Sequence, residues 1–178
     1  DVARWFMLSD SPPERDVEWT QSGVEGAGRF AQRIWSLADN LPAAPYPAPG
    51  EDAASLDLRR ASHRAAKAID KAIDEFRFNS AIATIYEWVN ALKKAESSGG
   101  LLGARAEAVS MLARCLTPFM PHLAESAWER IGGQGLVSAA AWPEADDALV
   151  TEDTVTLAVQ VNGKRRGEIT VARDLGNE

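Results

Sequence analysis

The sequence predicts a mainly α-helical fold, an antiparallel bundle of about five helices followed by a short β-hairpin. Three observations lead to this prediction. Apolar residues recur at helical spacing up to about Ile131, the connections between the longest periodic stretches are short, and the period changes to two from about Val155. Short connections between long amphipathic helices favour antiparallel packing.

The composition is that of an ordinary globular protein. The 178 residues are 46% hydrophobic and 25% charged, which is enough to build a buried core. No apolar run approaches the roughly 18 residues of a membrane span. The net charge of −7 argues against a strongly basic nucleic-acid binder, so such a role would depend on local patches. The single cysteine, Cys115, is expected to be buried, and a lone cysteine fits a reducing, cytoplasmic location.

The first elements are two helices separated by a proline break. Residues 2–9 predict the end of a helix, which Pro12 and Pro13 interrupt. Ser22 is the expected N-cap of the second helix, because Glu25 follows it at capping-box spacing. The apolar face of this helix consists of Val24, Ala27, Phe30, Ile34, Leu37 and Leu41.

Two longer helices follow a proline-rich loop over residues 41–52. Each carries its apolar residues on one stripe, as expected for a helix that packs against neighbours. The stripe of the first comprises Leu58, Ala61, Ala65, Ile69, Ala72, Ile73 and Phe76. The stripe of the second comprises Phe78, Ile82, Ile85, Val89 and Leu92. The sequence SSGG predicts a turn at residues 97–100.

Two further helices complete the predicted bundle. The apolar residues of the longer one are Leu102, Val109, Leu112, Ala113 and Leu116. Pro121 suits the first turn of a short helix that continues through Ile131 and ends at Gly132-Gly133. His122, at the start of this helix, is expected to have a capping or packing role.

Residues 155–171 predict a β-hairpin, because apolar and polar residues alternate on both sides of Asn162-Gly163. A two-residue turn would place the apolar residues of the two strands on opposite faces. We therefore predict a three-residue loop over residues 162–164. The predicted cross-strand pairs are Val159 with Gly167 and Leu157 with Ile169.

The sequence lacks the motifs that mark a catalytic or phosphate-binding loop. It has no Gly-rich phosphate loop, no G-x-S-x-G element and no dinucleotide fingerprint. Its two histidines, His63 and His122, are far apart and have no companions at metal-ligand spacing. We therefore expect no catalytic, metal-binding or cofactor-binding residue in this chain.

Three groups of basic residues are candidates for contacts with a nucleic-acid backbone. The first is a stripe at 4-3-4 spacing, Arg60, Arg64, Lys67 and Lys71, with Arg59 and His63 beside it. The second is a pair at i and i+4, Arg29 and Arg33. The third is the predicted hairpin tip, Lys164, Arg165 and Arg166. Each group could neutralise phosphates and position a backbone. Each could equally be a solvated surface or, for the pair, neutralise a nearby carboxylate.

Four segments in chain order resemble leucyl-tRNA synthetases. They are ARWFML at 3–8 with DVEW at 16–19, GVEGA at 23–27 with RIW at 33–35, RFNSAIA at 77–83 with NAL at 90–92, and LTPFMPHLAE at 116–125 with WP at 142–143. The segment VQVNGK at 159–164 resembles the opening of the family's small C-terminal domain. The Glu-Trp and Val-Glu-Gly-Ala segments favour leucine over valine or isoleucine.

The resemblance implies that the bundle is the anticodon-binding-type domain of a class I aminoacyl-tRNA synthetase. It implies a parent leucine–tRNA ligase that uses ATP and Mg²⁺, with its catalytic and editing domains outside these residues and no activity in this chain alone. The implied partners are leucine-accepting tRNA and those two domains, with neither DNA nor a membrane. Arg29 and Arg33 are the first choice for tRNA contacts, followed by the stripe and then the hairpin tip.

The resemblance also implies a division of the chain into three parts. Residues 1–20 would end the connection to the catalytic domain, residues 21–150 would form the tRNA-binding bundle, and residues 151–178 would begin a truncated C-terminal domain. Three other interpretations stay open. The chain could come from a valyl- or isoleucyl-tRNA synthetase, it could be a helical protein-interaction module with an exposed apolar surface, or it could be a hydrolase with a pocket of convergent acid and base groups.

Overall fold

The computed structural model describes residues 1–9, 12, 14–96, 101–151, 154–161 and 164–172. Its helices are α1 (Val2–Ser9), α2 (Gln21–Asp39), α3 (Ala53–Asp74), α4 (Phe78–Glu96), α5 (Leu102–Leu116), α6 (Pro121–Arg130) and α7 (Asp147–Val150). A single 3₁₀ turn, Val137–Ala139, lies between α6 and α7, and the strands are β1 (Thr154–Val161) and β2 (Lys164–Ala172). The predicted mainly helical fold is therefore confirmed. Within these ranges, no helix combines the length and apolar composition needed to cross a membrane.

The cap of helix α2 lies two residues before the predicted one. Thr20 has extended backbone angles, and its hydroxyl accepts a hydrogen bond from the Gly23 N–H at 3.3 Å. Ser22 lies inside the helix, so the prediction of Ser22 as N-cap is wrong. Threonine caps a helix by the same physics as serine, and a side chain two positions earlier makes the bond. The predicted apolar face is confirmed, since every member is buried except the half-buried Val24.

Helices α3 and α4 pack against each other along the centre of the bundle. Asp52 caps α3 by accepting from the Ser55 N–H at 3.0 Å. A buried polar relay joins the two helices: the Trp88 Nε1–H donates to Ser62 Oγ at 2.9 Å, and Ser62 Oγ donates to the Leu58 carbonyl at 2.8 Å. The relay satisfies the indole N–H of a large buried side chain.

The predicted stripes of α3 and α4 are confirmed except at Phe76, which lies beyond the end of α3 and is 68% exposed. The Phe76 N–H donates to the Ile73 carbonyl and the Arg77 N–H donates to the Ala72 carbonyl, at 3.0 and 2.7 Å. These two bonds are those of a Schellman motif, which ends a helix with one left-handed residue. Phe76 occupies that position with φ of +56°.

An aromatic cluster fills the space between α1, α2, α4 and the start of α6. Trp5 is fully buried, and its ring centroid lies 5.1 Å from Phe30 and 6.1 Å from Phe119. The Trp5 Nε1–H donates to the Tyr86 hydroxyl at 3.0 Å. The cluster joins the N-terminal helix to the bundle core.

Helices α5 and α6 complete the bundle as predicted. Cys115 is buried in α5, as expected. At the N-terminus of α6 the Asp1 carboxylate accepts from the backbone N–H groups of His122 and Leu123, at 3.3 and 2.7 Å. His122 Nδ1 also lies 2.9 Å from this carboxylate. His122 therefore takes part in capping the helix. The turn predicted at 97–100 lies outside the described residues.

The hairpin has the predicted register with a different construction. Leu157 pairs with Ile169 and Val159 with Gly167, as predicted, but Val161 pairs with Lys164. Lys164 is thus in β2, and its assignment to a three-residue loop is wrong. A bulge at the step between Val159 and Gln160 adds one unpaired residue, and this has the same effect on the register as the longer loop would have. Residues 162 and 163 lie outside the described residues.

Candidate nucleic-acid interface

Of the arginine pair of α2, Arg33 contacts α4, and Arg29 pairs with a carboxylate of its own helix. Arg33 donates from Nη2 to the Asn90 side-chain oxygen at 2.6 Å, and its guanidinium lies 5.7 Å from the centre of the Phe30 ring. Arg29 Nη1 is 3.9 Å from Glu25 Oε2, and its side chain is 69% exposed. The carboxylate near Arg29 relieves the repulsion between two cations one turn apart. Both guanidinium groups remain accessible to a ligand.

Carboxylates accompany most of the stripe on α3. Arg60 lies 3.7 Å from Asp57, and Lys71 lies 3.9 Å from Glu75. Lys67 donates to Asp147, the first residue of α7, at 2.8 Å. This hydrogen bond and the positive charge of Lys67 hold the pKa of Asp147 below its usual value. The cations stay largely exposed, so these pairs are weak and can be exchanged.

The two residues beside the stripe have structural roles. Arg59 donates two hydrogen bonds to Glu107 of α5, from Nε at 2.7 Å and from Nη2 at 3.2 Å. His63 is buried, and its Nδ1 accepts from the Asp146 N–H at 2.9 Å. Its Nε2 is 3.7 Å from Glu107. This arrangement ties α3 to α5 and to the segment before α7, and it leaves neither side chain for a ligand.

Helix α4 lies between the two basic groups, because it contacts both α2 and α3. Asn90 of α4 holds Arg33 of α2, and one turn later Lys94 is exposed and makes no hydrogen bond or ion pair with any described residue. Lys94 lies in a groove with α3, which Arg64 also lines further along. We call this surface the α2–α4–α3 face; it comprises Arg29, Arg33, Asn90, Lys94 and Arg64.

The groove follows the seam between α3 and α4. It consists of two adjacent cavities of about 330 and 280 Å³ that share Ala61 and Ala91. Its floor is mostly alanine, and its charged lining includes Arg64, Glu87 and Lys94.

Lys94 and its neighbour Lys93 were not among the candidates predicted from the sequence. Lys93 donates to Ser36 of α2 at 2.6 Å and to Glu96 at 2.9 Å, which ties it to the fold. Lys94, on the adjacent position, points away from those partners. Two adjacent lysines after a predicted NAL segment were a visible signal, but only the packing tells which of the two is available.

The third basic group lies on the hairpin. Lys164 and Arg165 belong to β2, where they pair with Val161 and Gln160. Arg166 is exposed at the bulge. The positions of the Lys164 and Arg165 side chains lie outside the described part of the structure. None of the principal packing pairs among the described elements joins the hairpin to α2, α3 or α4.

Two tryptophans remain accessible for contacts with a ligand. Trp19 is 59% exposed with its edge against Phe6, at 5.3 Å between ring centroids, and Trp35 is 37% exposed. Trp5 and Trp88 are buried in the core. Among the described residues, no three histidine, cysteine, aspartate or glutamate side chains are grouped so as to hold a metal ion.

Comparison with known proteins gives a consistent result. A family model described as the anticodon-binding domain of tRNA ligase matches residues 57–177. The chain is 70% identical to the leucine–tRNA ligase of Hyphomonas neptunium and 55% identical to that of Maricaulis maris, over 98% and 97% of its length. It spans about a fifth of each relative, 21% in both cases.

A solved structure has the same fold. It is the ternary complex of Agrobacterium radiobacter K84 agnB2 LeuRS with tRNA and LeuAMS, with a TM-score of 0.81 at 25% identity. The match covers 98% of this chain and 23% of that one. These relatives confirm the resemblance to leucyl-tRNA synthetases that the four sequence segments indicated. With the family model matching more than half of its residues, the chain belongs to the family of anticodon-binding domains of tRNA ligases.

Proposed function

We propose that this chain is the tRNA-docking bundle of a leucyl-tRNA synthetase and that it binds the backbone of leucine-accepting tRNA. The observation that carries the proposal is the 70% identity to a leucine–tRNA ligase over nearly the whole chain. The α2–α4–α3 face supports it, because it collects accessible cations from three helices in an otherwise acidic protein. In such a protein, phosphate binding depends on a local patch.

The proposed contacts are electrostatic and positioning. Arg29 and Arg33 would bind phosphates through planar guanidinium groups that can donate two parallel hydrogen bonds. Lys94 would extend the contact across the seam, and Arg60, Arg64, Lys67 and Lys71 would contribute where a phosphate replaces their present partner. Lys164, Arg165 and Arg166 would form a separate contact. Phosphate contacts fix orientation and carry no base specificity of their own.

The proposal includes the rest of the synthetase. Leucylation with ATP and Mg²⁺ would take place in a catalytic domain outside residues 1–178, in the cytoplasm, and an editing domain would also lie outside them. Residues 1–20 would end the connection to the catalytic domain, residues 21–150 would form the docking bundle, and residues 151–178 would begin the C-terminal domain. The leucine names of the relatives support leucine over the valine and isoleucine alternatives.

The test is a binding titration of the purified chain with leucine-accepting tRNA and with a mismatched tRNA, at several salt concentrations. We expect the binding constant to fall steeply with salt, because each phosphate contact releases condensed counterions. The double variant Arg29→Ala/Arg33→Ala should weaken binding and lower the slope of log K against log salt by about 2, roughly one for each lost phosphate contact.

The matched control removes two exposed arginines outside this face, Arg4 and Arg15. The variant Arg4→Ala/Arg15→Ala has the same net charge as the α2 double variant, so it should keep the slope if the contact is local. Equal effects of both double variants would show that binding depends on the overall charge of the chain and not on the arginine pair of α2. Absence of binding to either tRNA at low salt would contradict docking by this chain.

A further inference from the structure

The turn between α3 and α4 presents an aromatic side chain that the fold does not use. Phe76 is 68% exposed, the largest exposure among the big hydrophobic side chains in the described part of the chain. Its φ of +56° lies in the left-handed region, where glycine or asparagine is the usual residue of a helix-ending Schellman motif. A bulky residue at such an angle is strained, and strain of this kind occurs at functional sites. Neither backbone preference nor burial explains a phenylalanine here.

Packing fixes the direction of the ring. Its centroid lies 6.0 Å from that of Phe78, with the planes at 83°. Phe78 in turn lies 6.5 Å from Phe119, which is fully buried beside Trp5. Phe76 is thus the outermost member of a line of aromatic rings that begins in the core. A ring supported in this way stands out as a rigid apolar knob.

We propose that Phe76 docks in an apolar pocket on another domain of the same synthetase polypeptide. This proposal rests on the proposed function, because it needs the remainder of a leucyl-tRNA synthetase. In the relatives, about four-fifths of the chain lies outside the matched part, so such a bundle has extensive protein surface to meet. A rigid aromatic in a pocket is the usual anchor of a protein interface.

The charges around Phe76 favour a protein over RNA. Residues 70–77 include three acidic residues and two basic ones, Asp70, Lys71, Asp74, Glu75 and Arg77, for a sum of 2 − 3 = −1. Both cations are engaged with one carboxylate, because Lys71 lies 3.9 Å from Glu75 and Arg77 pairs with it as well. The surroundings of the ring therefore offer a phosphate chain less than the α2–α4–α3 face does, whereas a basic rim around a protein pocket would complement Asp74.

The experiment places a photo-crosslinking residue at the knob in the complete synthetase. Phe76→p-benzoylphenylalanine protein is irradiated with and without tRNA, and the products are identified by mass spectrometry. The matched control carries the same residue at Leu136, another apolar side chain, which is 64% exposed and follows α6 in the sequence. We expect an intramolecular cross-link from position 76 to a peptide outside residues 1–178, and none from position 136.

Three other products would overturn the proposal: a cross-link to tRNA, a cross-link to a second copy of the protein, or no cross-link at position 76. A second measurement follows hydrogen exchange, in protein that has not been cross-linked, of the peptide that the cross-link identified. Phe76→Gly should speed its exchange about tenfold, because burial of a phenylalanine ring stabilises a contact by at least that factor. Unchanged exchange would contradict docking. Leucylation by the unmodified protein is measured first, so that failure of the proposed function is recognised separately.

Discussion

The backbone of Phe76 makes a prediction about stability that does not depend on what its side chain binds. Phe76→Gly and Phe76→Ala both remove the ring, so they lose the same contact with Phe78. They differ in the backbone, because only glycine adopts φ of +56° without strain. We therefore expect the glycine variant of the chain to be the more stable of the two.

The magnitude follows from the left-handed angle. An L-residue with a Cβ costs about 1–2 kcal/mol there, and the larger conformational entropy of glycine in the unfolded chain offsets about 0.5–1 kcal/mol of this. The glycine variant should exceed the alanine variant by about 1 kcal/mol. For a domain of this size that difference corresponds to about 2–4 °C in Tm.

The assay is urea denaturation of the chain followed by tryptophan fluorescence. The control is Ala83→Gly at an exposed position inside α4, where the order reverses and glycine costs about 1 kcal/mol relative to alanine. A difference in stability between the glycine and alanine variants that has opposite signs at positions 76 and 83 would identify the left-handed residue at the end of α3. An alanine variant at position 76 as stable as the glycine variant would refute the assigned backbone conformation.

Three further predictions concern the core, the cysteine and acid. Ser62→Ala should lower the free energy of unfolding by about 1–3 kcal/mol, measured by chemical denaturation, because it leaves the buried Trp88 Nε1–H without an acceptor. Burial raises the pKa of Cys115 to about 12, so a thiol reagent at pH 8 should modify it only at the rate of unfolding; fast labelling of the native chain would contradict its burial. The backbone N–H groups of Val137 and Ser138 hold the pKa of Glu125 below its usual value. This contribution to stability is present above the ordinary glutamate pKa and is lost as pH falls through the lowered value. The protection factor of the Val137 amide, which is its exchange rate relative to the intrinsic rate at the same pH, should therefore fall on acidification, and Glu125→Gln should flatten that pH dependence.

Periodicity predicted the helices well because burial of one face is a local property of the sequence. It failed at Phe76, which continues the spacing of the α3 stripe although the helix has ended at Asp74. Spacing alone does not show where the backbone leaves the helix, since no glycine marks the turn. The same limit applies to the cap of α2, where two hydroxyl residues stood two positions apart and only the backbone angles distinguish them.

In the hairpin, the alternation of apolar and polar residues predicts which residues of the two strands pair, but it does not predict how the strands are connected. The requirement that Leu157 and Ile169 share a face predicted the correct register. A longer loop and a bulge satisfy that requirement equally, and no residue of the hairpin favours the bulge. The carboxylate that pairs with Lys67 was not predictable, because Asp147 lies 80 positions further along the chain.

The pairing of the α3 stripe with carboxylates turns any phosphate contact there into an exchange of anions. A phosphate that engages Lys67 must displace Asp147, and one that engages Lys71 must displace Glu75. The displaced carboxylate takes up cations from solution, so the net release of counterions, and with it the salt dependence, is smaller than the number of cations suggests. Loosely matched polyanions gain little from such an exchange, whereas a ligand held in register elsewhere on the bundle can complete it. In the proposed docking, the acidic partners would therefore favour a correctly positioned tRNA backbone over one bound in passing.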